Sequence, residues 1–515
     1  MPDPTPSSRQ LLGFAAAVVF LTALNFIRQL PEVHSLDAFV FGDPGFALSV
    51  DAMLDEGREP TEDFAYFYGL LGVVIDRVWF AGIGRTAFAD TALLALCNLL
   101  LALGLVRFAR AIDLPRSVWW LLLAGVPVAI MPMRYTSPTH AIDAALLVHA
   151  LAFQARGNRR AAFVLVVIGV LVKSALASVY ATGLLGLILL GPRQEPTGWR
   201  QRARELIPGA VVGLVLTGLL MVRFGWGPVV CTLFPIAGAK TYAGERFGFF
   251  FGIGRQFWLR TPFDPVYYLF GPAGFWLLAS AVMLTGVPQL IQARRDPRAQ
   301  AILTVAALHL AFVFFLFGHD LSWLYYSFLP VLGACGVVGQ WEAAGTCPRW
   351  LRVGLPVIVV CGCVGFAVHG WTIWKDTICT EATGGLFARP ADAEAWGRVR
   401  GLGRHERVLV FTPSGAGRVL FPEVDSIRSS ALLPAVATPT EVNALLARLW
   451  TADAVVVHPV TRPMFDHWPP FKDELEAFED DPQTTGDAMF QVLRRKGAHH
   501  PVRPGGGVER PPGGE

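Results

Sequence analysis

Long apolar runs separated by short polar connections fill the chain from about residue 10 to residue 372. The first, LLGFAAAVVFLTALNFI (11–27), carries no charged residue. Others follow at 87–106, 117–133, 141–155, 161–190, 206–222, 266–291, 300–317, 322–339 and 351–371. Each matches or approaches the roughly 20 residues a helix needs to cross a hydrocarbon core of about 30 Å. The run at 161–190 is too long for one crossing, and it breaks around Lys173 and Ser174 into two. Residues 66–85 (YFYGLLGVVIDRVWFAGIGR) are also apolar, but Asp76 and Arg77 sit mid-segment. A helix lying in the interface suits that segment better than a crossing. The pattern predicts about eleven transmembrane helices.

From about residue 376 the period changes. Strand-like RVLVFTP (407–413) and ADAVVVHP (452–459) alternate with helix-like PTEVNALLARLW (439–450) and PFKDELEAFE (470–479), followed by AMFQVLRRK (488–496). This predicts a small α/β domain over 376–497. The Pro- and Gly-rich tail, 498–515, reads as disordered.

Composition agrees with the membrane reading. The chain of 515 residues is 53% hydrophobic and 16% charged, with a mean hydropathy of +0.46. Soluble domains carry about a quarter charged residues. The N-terminal segment 1–9 is short, with no small-residue cleavage site after it, so the first helix reads as an anchor and the segment as cytoplasmic. The seven cysteines are scattered and read as small buried hydrophobes.

Charge sorts the connections. Arg107, Arg110 and Arg116 share one; Arg156, Arg159 and Arg160 another; Arg193, Arg200, Arg202 and Arg204 a third. Arg294, Arg295 and Arg298, then Arg349 and Arg352, complete the set. Lys and Arg bias short loops to the cytoplasm. This orientation puts 31–86, 134–143, the long loop around 223–264, 318–323 and the C-terminal domain outside. The first of these holds an acidic island containing Asp37, Asp43, Asp51, Asp55, Glu56, Glu62 and Asp63.

On these residues the chain resembles the GT-C fold glycosyltransferases, of the dolichyl-phosphate-mannose protein mannosyltransferase and lipid A aminoarabinose transferase type. Asp43, Ala52, Leu54, Gly57, Pro60, Asp63, Phe64, Tyr66 and Tyr68 match the family's first outer loop. SPTHAIDAALLVHALAFQARGNRRAAFVLVVIGVLVKSALA (137–177) resembles its second outer loop and the next two spans. WLYYSFLPVLGACGVVG (323–339) is similar to a late helix of the family. The sequence departs from the pattern at Pro44, where many members have Glu, and offers both His140 and Asp143 for one acidic position. The resemblance implies a polytopic enzyme that moves a sugar from a polyprenyl-phosphate carrier to a glycan, lipid or protein acceptor. It implies no certain cofactor, with a divalent metal such as Mg or Mn as a candidate. It also implies a bacterial inner (plasma) membrane setting with an extracytoplasmic site.

That chemistry asks for particular groups. An attacking hydroxyl needs one carboxylate to take its proton. Asp43 is the candidate, held in GDPG just beyond the first span, where a helix cannot continue. A turn aspartate bonded to its own backbone is the plainer reading. Asp63, His140, Asp143, His319 and Asp320 are candidates for lining the acceptor cavity. Asp37, Asp51, Asp55, Glu56 and also Asp63 read as solvated or helix-capping groups. A leaving phosphate calls for cations, and Lys173, Arg223, Lys240, Arg246, Arg255 and Arg260 are the candidates. Lipid head-group anchoring is the competing role for the arginines, and snorkelling to the interface that for Lys173. The alternatives to a transferase are a non-catalytic glycan-lipid transporter or assembly protein, and a glycan polymerase or ligase. The near absence of charge at midspan speaks against transport.

Overall fold

Ser7 starts the first helix by closing a capping box with Gln10, each side chain meeting the other's backbone N–H, at 2.9 and 3.4 Å. The computed structural model describes residues 6–42, 44–64, 66, 68–130, 137–192, 198–234, 272–313, 326–348, 351, 364–365, 367–368, 370–412, 415–428, 439–458, 469–481 and 488–497. Helix α1 (Ser8–Val33) is followed by a single π-helical turn, Asp37–Phe41, and by α2 (Phe46–Asp55). Helices α3 (Leu70–Ile83), α4 (Ala87–Ala111), α5 (Arg116–Ala129) and α6 (Pro138–Ala155) come next. The following group is α7 (Arg159–Val172), α8 (Ser174–Leu190), α9 (Trp199–Arg204), α10 (Ile207–Phe224) and α11 (Trp226–Leu233). Helices α12 (Pro272–Gln292), α13 (Pro297–Ala311) and α14 (Phe328–Ala343) close the bundle.

Among the described residues, four helical stretches are long and apolar enough to cross a membrane: Ser8–Val33, Ala87–Ala111, Trp199–Phe224 and Gly274–Gln292. Arg116–Ala129 and Ser174–Leu190 are shorter apolar helices. Most of the expected span 351–371, and part of 322–339, lie outside the described residues. The chain is a polytopic helical membrane protein.

Small residues let the helices approach closely. A Cβ on Gly104 of α4 would fall 2.1 Å from Val148 of α6. The tight α6–α7 turn has Gly157 at φ 74° and Asn158 capping the Ala161 N–H. The bundle core gathers Trp119, Val148, Val166, Tyr180, Met283, Val305 and Leu332.

The C-terminal part forms two sheets. Strands β1 (Ile378–Cys379) and β2 (Phe387–Ala388) pair antiparallel. The larger sheet uses β3 (Val408–Thr412), β4 (Asp425–Arg428), β5 (Ala454–Val457), β6 (Phe478–Asp480) and β7 (Gln491–Arg495) in the order β4-β3-β5-β7-β6. Strand β3 runs parallel to β4 and β5, whereas β7 is antiparallel to β5 and β6. Alternation divides its side chains between two faces. Leu409, Phe411, Val455 and Val457 pack with Leu445, Leu449 and Phe471. Val408, Val410, Ala454, Val456 and Val492 pack with Trp396 and Val399, and also with Leu36, Phe39, Val40 and Phe41 from the first loop. The α/β unit is thus built directly onto the segment that precedes Asp43.

Candidate functional site

The long apolar run that the sequence divides at Lys173 is divided there in the structure. Lys173 has extended backbone angles (φ −154°, ψ 104°), and its N–H still donates to Gly169 O at 2.7 Å. Helix α7 ends on one side of it and α8 begins on the other. The side chain is 9% exposed. Its Nζ lies 5.5 Å from the ring centre of Tyr68 and 5.7 Å from that of Tyr326, within cation–π range.

Asp143 and His140 reach the same place from the first turns of α6. They stand three residues apart on one face, and both are buried. Asp143 Oδ2 accepts the Tyr326 hydroxyl at 2.5 Å, while Oδ1 has no hydrogen-bond partner among the described residues. Ser137 Oγ and His140 Nδ1 share a hydrogen bond at 2.8 Å, and the His140 ring meets Tyr68 edge-on at 5.6 Å. Lys173 acts electrostatically on both Asp143 and His140.

A backbone contact brings Tyr68 in. The Gly69 N–H donates to Val172 O at 3.0 Å, pinning the first loop to the α7–α8 junction. A Cβ on Gly69 would stand 2.0 Å from Leu171 O, so only glycine allows this approach. The result is one ammonium, two phenols, an imidazole and a carboxylate gathered in an apolar bundle. Such a group can hold an anionic head group: the ammonium supplies charge, and the Tyr68 phenol and the imidazole supply hydrogen bonds.

The acidic island corrects the sequence reading at several positions. Asp51 and Asp55 are not simply solvated. Arg77 reaches Asp51 at 3.3 Å and Asp55 at 2.7 Å, and Arg85 reaches Asp51 at 2.6 Å and also pairs with Asp55. Hydrogen bonds from Arg85, and next from Arg77, hold the Asp55 carboxyl below its ordinary range. Glu56 pairs with Arg418 of the C-terminal unit. Asp37 lies 3.6 Å from His458. Opposite charges 26 and 34 residues along the chain close the cluster at Asp51, a distance that local reading does not span.

Asp63 caps its own turn. Its Oδ2 accepts the Glu59 N–H at 2.8 Å, and Arg58 donates to its backbone carbonyl at 2.8 Å. Arg223, read as a loop residue, belongs to the last turn of α10, where it is exposed and lies over the Phe224 ring. Asp43, Lys240, Arg246, Arg255, Arg260, His319 and Asp320 lie outside the described residues. The structure therefore joins Lys173, His140 and Asp143, and adds Tyr68, Tyr326 and Ser137. Tyr68 and Tyr326 both stood in the quoted motifs, but no sequence signal pairs them. Among the described residues no three His, Cys, Asp or Glu side chains converge as a metal-holding group.

No protein-family model matches the chain, and no curated protein matches it in sequence. Solved structures share its fold. ArnT from Cupriavidus metallidurans bound to undecaprenyl phosphate aligns over 95% of this chain and 99% of its own, with 14% identity and a TM-score of 0.52. The apo form of that protein aligns over 94% and 98%, with 13% identity and a TM-score of 0.51. The chain has the GT-C fold that its sequence resemblance implied.

Proposed function

Taking the GT-C fold as premise, we propose that this protein is an integral membrane glycosyltransferase. It takes a sugar from a polyprenyl-phosphate donor and transfers it to an acceptor hydroxyl on the extracytoplasmic side of a bacterial inner membrane. The observation that carries this reading is the buried Lys173 at the α7–α8 break, set among Tyr68, Tyr326, His140 and Asp143. Lys173 stands at a helix break beside two phenol rings, a place where a cation can meet a phosphate carried on an apolar chain. A phosphate on a lipid chain supplies both counter-charge and an apolar tail suited to a helical bundle. The fold it shares with a protein solved bound to undecaprenyl phosphate supports the same reading.

The reaction is a direct displacement. Asp43 takes the acceptor's proton as its oxygen forms a bond to the anomeric carbon. The bond from that carbon to the phosphate oxygen breaks, and its electron pair leaves on the phosphate. One displacement inverts the anomeric centre. Lys173 holds the phosphate oxygens as charge grows on them, with the Tyr68 hydroxyl as a donor beside it, while the Tyr326 hydroxyl keeps donating to Asp143. Lys240, Arg246, Arg255 and Arg260 are the remaining cation candidates for the same phosphate. The reading puts the C-terminal α/β unit on the extracytoplasmic side with the first loop.

The test is transfer by the purified protein in lipid nanodiscs, given a radiolabelled polyprenyl-phosphate hexose and membrane-extract acceptors. Label moving to a new product, with the anomeric configuration inverted, is the expected result. Binding of the donor with label appearing only on the opposite leaflet would favour a transporter instead.

A further inference from the structure

The parallel part of the C-terminal sheet has an end where α/β sheets ordinarily bind ligands, outside the carboxyl ends of the strands. At the carboxyl end of β5 the protein's own first loop is seated. Phe41, 1% exposed, is stacked on His458 at 5.0 Å and on Phe490 at 5.2 Å, and meets Trp396 edge-on at 5.9 Å. His458 directly follows β5. Phe490 directly precedes the antiparallel β7, so both stand at the carboxyl end of β5. The Asp37 carboxylate lies 3.6 Å from His458 Nε2.

The same unit takes hold beyond Asp43 as well. Ala47 and Leu48 of α2 belong to the apolar cluster built on Trp396 and the sheet. Glu56, directly after α2, pairs with Arg418, which lies in the connection from β3 to β4. Residues on both sides of Asp43 are therefore fastened to the same unit: Asp37 to Phe41 before it, and Ala47 to Glu56 after it.

We infer that the C-terminal α/β unit is a positioning element of the transfer site, with Phe41 as its anchor. This rests on the proposed function. The unit fixes the two ends of the Asp43 loop, and the base keeps its reach to the acceptor only while both ends are held. Misplacing a reacting group by about 1 Å can cost on the order of 100-fold in rate. Phe41, Trp396 and His458 then act on kcat through Asp43, without touching either substrate.

The experiment uses the full chain in nanodiscs and compares wild type, Phe41→Ala and Phe41→Leu. It reads hydrogen exchange over residues 36–48, donor binding, and the kcat and KM of transfer. A second pair keeps the aromatic anchor: Arg418→Glu, and Arg418→Glu combined with Glu56→Arg. Phe41→Ala is expected to speed exchange over 36–48 at least tenfold, leaving α4 and residues 439–451 unchanged. It lowers kcat on the order of 10- to 100-fold, with KM for the donor within about twofold. Phe41→Leu recovers part of kcat, and the double charge reversal recovers what Arg418→Glu loses. Exchange unchanged in Phe41→Ala overturns the grip. Faster exchange with kcat unchanged, or loss appearing only in KM, overturns the positioning role. A wild type that transfers nothing overturns the proposed function, which is a separate result.

Discussion

The Tyr326 hydroxyl donates to Asp143 Oδ2 at 2.5 Å, joining the segment before α14 to the first turns of α6 across 183 residues of chain. It is the one hydrogen bond of the Asp143 carboxylate among the described residues, since Oδ1 has no partner there. Tyr326→Phe strands a buried carboxylate beside Lys173. Leaving a buried polar group unsatisfied costs about 1–3 kcal/mol. The expected outcome is a lower thermal midpoint in nanodiscs, measured by intrinsic fluorescence. An unchanged midpoint would mean that the pair adds nothing to the bundle.

Lys173→Met keeps an unbranched side chain one atom shorter and removes its charge. A hydrogen bond to a charged group contributes about 1.5–3 kcal/mol. Affinity for a polyprenyl phosphate should therefore fall roughly 10- to 100-fold, as measured by equilibrium binding in nanodiscs. Binding equal to wild type would move the phosphate site away from the α7–α8 break.

Gly69 offers a test that changes no charge. A Cβ there meets the Leu171 carbonyl oxygen at 2.0 Å and its carbon at 2.4 Å, both backbone atoms that cannot swing away. Gly69→Ala must lift Tyr68 off Lys173, and donor affinity should drop as it does in Lys173→Met. Gly82→Ala in α3 is the control, because a Cβ there meets nothing within 4 Å. Equal donor binding by the two variants would separate Tyr68 from the site.

Asp76 gives a pH dependence with a definite sign. Helix α3 has 14 residues, so it is about 21 Å long, short of a bilayer core of about 30 Å. Burial, and next the Asp51 carboxylate, push the Asp76 carboxyl up to about 8. The folded state keeps a proton that the unfolded chain releases from about pH 4 upward. That contribution is fully present below the ordinary carboxyl range and is lost as pH rises through about 8. The thermal midpoint should fall between pH 5 and pH 9, and Asp76→Asn should flatten the slope. A slope unchanged in Asp76→Asn would assign the dependence to another group.

The sequence made some of this legible, and the reasons are physical. An apolar run too long for one crossing and interrupted by Lys173–Ser174 has few ways to fold, and the break falls there. His140 and Asp143 share a face because i and i+3 always do on a helix. What stayed hidden depends on chain segments far apart meeting. Tyr326 sits in a stretch read as an early part of a late span, 322–339, whereas α14 starts at Phe328. Its hydroxyl therefore precedes the helix and is free to reach α6. Asp51 looked solvated because its partners Arg77 and Arg85 lie beyond an intervening helix start. Phe41 gave no signal at all, since its neighbours Trp396, His458 and Phe490 come more than 350 residues later.

The central claim is sugar transfer with Asp43 as base, and one comparison tests it most directly. Wild type and Asp43→Asn are reconstituted in nanodiscs, each given a radiolabelled polyprenyl-phosphate hexose and membrane-extract acceptors, with donor binding measured on the same samples. The account predicts transfer by wild type and its near-complete loss in Asp43→Asn, with donor affinity retained. Transfer that survives intact in Asp43→Asn would contradict the assignment of the base, and wild type that neither binds nor transfers the donor would contradict the function itself.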